Sequence, residues 1–278
     1  MREDDDGLAE GTRPARVTRF EGDAASPRED RVAHEEPLEI QLGATSLAVV
    51  MRTPGHDEEL ALGFLVTERV VASPEQVLAA RHCSVVSDPE AEDNVIRVTL
   101  CEGVTVDLER LRRNLYASSS CGICGKATIE SALATAPPLD DAARVTTETL
   151  YALPDRLRAA QAVFDETGGL HAAGLFDARG ELLAAREDVG RHNAVDKVVG
   201  WAARQGRLPL SGHVLLVSGR ISYEIVQKAL AARVPIVAAV SAPSSLAVRL
   251  AAESGMTLVG FLRGRGLNLY GNPDRVLG

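Results

Sequence analysis

From residue 172 to residue 261 strand and helix patterns alternate along the chain, without an internal repeat. Val214 to Val217 and Ile236 to Val240 are apolar at every position, which marks strands covered on both faces. Helical patterns lie between and around them, over Gly190 to Arg204, Ser222 to Ala232 and Ser244 to Glu253. Ala172 to Phe176 and Leu182 to Ala185, joined around Ala178-Arg179-Gly180, read as a hairpin, and Leu157 to Phe164 reads as a helix. Thr257 to Phe261 closes the series. This alternation specifies a layered α/β domain, a mixed sheet with flanking helices, over residues 144–278.

The first half reads differently. Leu38 to Leu42 alternates apolar and polar, and Leu47 to Met51 follows across a Gly43-Ala44-Thr45 turn, giving a hairpin. Pro54-Gly55 breaks it, and Asp57-Glu58-Glu59 opens a helix whose Leu60, Phe64 and Leu65 share a face. Strands around Val85 and over Val95 to Leu100, then a helix from Asp107 to Leu115, complete a small α+β domain over residues 31–116. Residues 1–30 are polar and acidic, without periodicity, and are expected to form a disordered tail. Residues 117–143, rich in Ser, Gly and Pro, read as a cysteine-bearing interdomain loop with a helical stretch over Lys126 to Ala134.

A net charge of −9 argues against a nucleic-acid surface, which needs a basic face. There is no apolar run of ~18 residues to span a membrane. Residues 1–10 lack the apolar core of a secretory signal, so the chain is expected in the cytoplasm, where thiols stay reduced. The close pair Cys121 and Cys124 then reads as reactive or metal-binding, not as a disulfide staple. The spacing serves a dithiol oxidoreductase, half of a zinc site, or a persulfide carrier. A thioredoxin-like motif should open a helix after a strand, whereas this pair sits in a serine- and glycine-rich stretch. Zinc needs two more ligands; Cys83 and Cys101 stand far apart, and His171 and His192 belong to separate elements. The carrier fits an accessible loop best, and no resident metal is expected.

Three polar segments point to an anionic ligand. Glu187 to Lys197 sets Asp188, Arg191, His192 and Asn193 at the start of a helix, where unpaired N–H groups favour an anion. Asp188 and His192 are expected to face that ligand, with a protonated His192 lowering the Cys121 thiol pKa. Ser218-Gly219-Arg220 follows a buried strand, with Gly219 for a tight turn, Arg220 as a fork for phosphate and Ser222 as the helix cap. Phe261-Leu262-Arg263-Gly264-Arg265-Gly266 lets two guanidinium groups and bare backbone approach an anion closely.

Together, Ser120 to Gly125, Glu187 to Lys197, Ser218 to Arg220 and Phe261 to Tyr270 resemble the formate dehydrogenase accessory sulfurtransferase family, FdhD, from about Pro37 to the C-terminus. The resemblance implies a persulfide received from a cysteine desulfurase on Cys121, with Cys124 assisting. The sulfur then passes to the bis(molybdopterin guanine dinucleotide) molybdenum cofactor taken up by formate dehydrogenase. It implies cofactor contacts from Phe261, Leu262, Arg263, Gly264, Arg265 and Gly266, to which Arg220 and His192 are added as guanine-nucleotide contacts. It also implies a cytidine-deaminase-like larger domain, although His171-Ala172-Ala173 lacks the glutamate that deamination needs. The resulting expectation is a two-domain cytoplasmic sulfurtransferase acting as a homodimer. Its rivals are a chaperone with structural zinc and a dithiol oxidoreductase.

Overall fold

The computed structural model describes residues 11–83, 93–106 and 137–278. Residues 12–33, expected to be mostly tail, form an antiparallel hairpin instead: β1 (Thr12–Glu21) and β2 (Ala24–Ala33). Its register sets Arg16 opposite Glu29, and Gly22 turns the chain at a φ of 63°. Both faces are largely exposed, so the apolar–polar alternation that reveals a half-buried strand is missing.

β3 (Glu36–Leu42), β4 (Thr45–Arg52), β5 (Val77–His82) and β6 (Val95–Leu100) form a sheet in the order β4-β3-β6-β5, over which α1 (Asp57–Thr67) packs. The β3–β4 hairpin, α1 and β6 lie where the sequence pattern puts them. The strand expected around Val85 and the helices expected over residues 107–115 and 126–134 lie outside the described residues.

The chain continues through β7 (Val145–Thr146), α2 (Thr147–Arg158) and α3 (Ala162–Thr167). These replace the single helix expected over Leu157 to Phe164. The apolar stripe starts earlier, at the buried Leu150, Leu153 and Leu157, and the helix ends at Ala159. The hairpin of β8 (His171–Phe176) and β9 (Leu182–Asp188) follows. Then come α4 (Arg191–Arg204), β10 (Val214–Val217), α5 (Tyr223–Ala231), β11 (Ile236–Ala239), α6 (Ser245–Ser254) and β12 (Thr257–Arg263). β12 does not close the series: after a register shift between Gly260 and Arg263, β13 (Gly266–Gly271) returns antiparallel to it. β14 (Val276–Leu277) pairs with β7. The resulting sheet has the order β13-β12-β11-β10-β8-β9, with β10, β11 and β12 parallel. The architecture is mixed α/β.

Alternation along these strands divides the core. Leu175, Leu215, Val217, Val237, Ala239 and Leu258 join one cluster with α4, α5 and α6; Phe176, Val214, Leu216, Ile236, Ala238 and Val259 join another with α2. The first cluster runs without a break into Leu38, Ile40, Ile96 and Val98 of the four-stranded sheet. The link is a backbone-to-backbone crossing of α1 and α4. A Cβ at Gly63 would lie 1.8 Å from the Asp196 carbonyl oxygen, and one at Gly200 would lie 1.8 Å from that of Glu59. Only glycine permits this approach. Among the described residues no helix is long and apolar enough to cross a membrane.

Candidate functional site

Because β10, β11 and β12 are parallel, their C-terminal ends share one edge, and β8, antiparallel to β10, begins there. That edge gathers His171, Ser218-Gly219-Arg220, Ser241 to Pro243 and Phe261. Open α/β sheets bind ligands outside such strand ends. The turns hold one another. The Ala172 amide donates to Ser218 Oγ at 2.9 Å, the Ile221 amide to the Ala242 carbonyl at 3.2 Å, and the Phe261 amide to the Ser241 carbonyl at 3.0 Å. Gly219 serves close approach, not a left-handed turn. A Cβ there would stand 3.3 Å from His171 Nδ1 and 4.0 Å from Arg191 Cδ.

The run from Glu187 to Lys197 divides into supports and site groups. Glu187 accepts the Val163 and Phe164 amides at 3.0 and 2.8 Å, capping α3, and burial pushes its carboxyl up. Asp188 is fully buried and does not face a ligand: it pairs with Lys197 Nζ at 2.7 Å and accepts the Thr53 and Gly190 amides at 3.2 and 2.8 Å. Asn193 donates to the Met51 carbonyl at 2.7 Å. These bonds clamp the end of β4 to the start of α4. One and two turns into the helix, Asp196 accepts Lys228 Nζ of α5 at 2.8 Å and Thr67 Oγ at 2.6 Å, while Lys228 also reaches Glu68 at 2.9 Å. Burial alone would lower the Lys228 pKa, but the two carboxylates raise it above its ordinary value, so the cation stays charged. Burial meanwhile pushes Asp196 up, against the pull of Lys228.

Arg191 and His192 remain half-buried at the edge. His192 Nε2 lies 3.3 Å from Ser222 Oγ and 3.9 Å from Glu224. Ser222 occupies the cap position of α5, but its hydroxyl makes no capping bond. Burial, then the charges of Lys228 and Arg191, bring the His192 pKa down to about 3. That direction runs against the protonated His192 expected to acidify the Cys121 thiol. His171 is also held below its ordinary value, by burial first and Arg191 next.

Phe261 carries a left-handed φ of 54° and is exposed, whereas Leu262 is fully buried on the α2 side. Arg263 donates to the Val240 carbonyl at 2.7 Å. Arg265, at the β12–β13 turn with Gly264 and Gly266, pairs with both carboxylate oxygens of Glu148 and lies 5.3 Å from the Tyr151 ring centre. His192, facing Ser222, and the Arg220 turn two residues before it therefore belong to one corner of the edge, while Arg265 belongs to the side carrying α2. Sequence reasoning left His171 and Arg191 out of the nucleotide site; the available signal was a histidine opening one strand and an arginine opening the next helix. Cys121 and Cys124 lie outside the described residues. Among the described residues, no three His, Cys, Asp or Glu side chains gather as metal ligands would.

The same mixed α/β architecture occurs in a crystal structure from Desulfotalea psychrophila, provisionally described as a formate dehydrogenase accessory protein. The TM-score is 0.74 at 25% identity, covering 96% of this chain and 100% of that one. The model of the FdhD/NarQ family matches residues 33–277, and the chain belongs to that family. Among its relatives, the sulfur carrier protein FdhD of Streptomyces coelicolor is 54% identical over 269 residues, 95% of each chain. That of Mycolicibacterium paratuberculosis is 52% identical over 264 residues, 94% of this chain and 97% of the relative.

Proposed function

We propose that this chain is a sulfur carrier and sulfurtransferase. It takes persulfide sulfur from a cysteine desulfurase and delivers it to the bis(molybdopterin guanine dinucleotide) molybdenum cofactor used by formate dehydrogenase. The observation that carries this reading is identity above one half, over nearly the full length of both chains, to proteins named for sulfur carriage. The Cys121 thiolate attacks the outer sulfur of the desulfurase persulfide, and the desulfurase thiolate leaves. The Cys124 thiolate then attacks Cys121 sulfur, closing a disulfide and releasing the carried sulfur, reduced to sulfide, toward the metal. A dithiol reductant resets the pair. The cofactor is substrate, and its anionic nucleotide ends suit the sheet edge that carries His192, Arg220 and the Phe261 to Gly266 segment. The reading includes a cytoplasmic homodimer.

We also read the six-stranded unit as cytidine-deaminase-like, which the hairpin leading into helix–strand alternation supports. Ala173 stands where a deaminase carries its glutamate, so deamination is not part of the function. Mass spectrometry after incubation with a desulfurase and cysteine tests the carrier. The Cys121 peptide should gain about 32 Da, the mass of one sulfur atom, as a persulfide removable by reductant. No gain in the wild type, or an unchanged gain in the Cys121→Ala variant, overturns it. Zinc bound stoichiometrically and lost when both cysteines are replaced would favour the chaperone reading instead.

A further inference from the structure

We propose that the β1–β2 hairpin is a dimerisation arm, whose face carrying Phe20, Ala25 and Pro27 packs on the same face of a second copy. The proposal rests on the homodimer in the reading above and assigns the surface that forms it. The register pairs Phe20 with Ala25, Thr18 with Pro27 and Arg16 with Glu29, and strand alternation puts all six on one face. The base of the hairpin is held. Arg31 pairs with Glu166 at 3.4 Å, the His34 amide donates to the Gly11 carbonyl at 2.8 Å, and Thr12 is buried. Beyond that base every residue from Thr18 to Asp30 is exposed, Phe20 at 69%. The hairpin lies before residue 33, where the family match begins.

A ribbon of two strands is marginal in water unless something covers it. Each strand here has ten residues and spans roughly 34 Å, so most of the ribbon stands clear of its own chain. Prolines restrict how it can be covered. Pro14 in β1 and Pro27 in β2 have no N–H to give, which discourages a third strand at either edge and leaves the faces. Charge selects the occupant. Residues 12–33 hold five arginines and four carboxylates, +1 in all, so the rest of a chain of net charge −9 carries −10. Two copies repel through those acidic bodies, and the hairpin is where they can meet without that cost. Arg16 beside Glu29 gives the contact face both signs of charge around its apolar tip. Such a face does not repel its own copy, as a closed two-fold dimer requires.

Analytical ultracentrifugation of the full chain tests the arm, with circular dichroism to check folding. The wild type should sediment as a dimer. Phe20→Asp and Ala25→Asp each set a new acid on the contact face, which the second copy doubles. Each should raise the dimer dissociation constant by about tenfold or more. Both side chains are exposed, so both variants should keep the wild-type fold. Leu78→Asp, on β5 and exposed to the same 69%, is the matched control and should leave the dimer intact. A wild-type monomer overturns the arm together with the homodimer. A dimer that survives Phe20→Asp, or one that Leu78→Asp breaks instead, overturns the arm alone. Persulfide loading on Cys121 should be unaltered in all three variants, so this proposal and the carrier reading fail separately.

Discussion

The corner at His171, Arg191 and Arg220 and the turn from Arg263 to Gly266 both carry two arginines beside glycine, and the sequence recommends both for an anion. Folding treats them differently. At the turn, Glu148 takes up both forks of the Arg265 guanidinium and the Val240 carbonyl takes Arg263 Nε. At the corner, Asp188 and Asp196 are committed to buried lysines, and no ion pair joins either guanidinium group to a carboxylate among the described residues. Arginines stay open to an anion only where the fold has spent its acids elsewhere. At the corner that is the work of the Glu187 to Lys197 run.

The comparison can be broken first through its supports. Lys228→Met leaves the buried Asp196, beside the half-buried Glu68, without its cation, and chemical denaturation should show a loss of about 3–5 kcal/mol. Gly200→Ala drives a methyl group to within 1.8 Å of the Glu59 carbonyl oxygen. It should lose about 3 kcal/mol, the upper end for overpacking, because a helix backbone cannot step aside as a side chain can. An unchanged denaturation midpoint in either variant would remove the support from the account. In contrast, Arg265→Gln should leave stability unchanged, since its ion pair with Glu148 is exposed.

A smaller, pH-dependent effect sharpens the electrostatic side. The His192 pKa is about 3 in the folded protein against an ordinary 6.5, so the unfolded chain binds the extra proton between those values. Its contribution is therefore complete above about pH 6.5 and is lost as pH falls toward 3. His192→Gln, which cannot be protonated there, should resist acid better, with its unfolding midpoint moved to lower pH. Superimposable acid-unfolding curves for variant and wild type would contradict a neutral, confined His192.

Much of the larger sheet was legible because buried strands write themselves as unbroken apolar runs, as in Val214 to Val217. The β1–β2 hairpin was not, since its exposed faces carry no period. β13 was missed because Gly266-Leu267-Asn268-Leu269 follows a glycine–arginine turn that reads as loop. At the site, the Glu187 to Lys197 run stands out in the sequence, but its polar residues look alike there. Which of them hold β4, α3 and α5, and which face outward, depends on partners at Thr53, Val163 and Lys228, far away in sequence. His171 was noticed only as a zinc ligand or a deaminase remnant, because nothing local links it to Gly219.

The central claim joins a sulfur-bearing Cys121 to a cofactor-binding sheet edge far along the chain, and one single-turnover assay addresses both. Protein loaded with persulfide, freed of desulfurase, is mixed with formate dehydrogenase made without sulfur transfer, and the recovered activity is measured. The account predicts that Cys121→Ala neither loads nor activates, whereas Arg220→Gln loads sulfur like the wild type yet activates about tenfold less at limiting protein. Activation by Cys121→Ala, or full activation by Arg220→Gln, would contradict it.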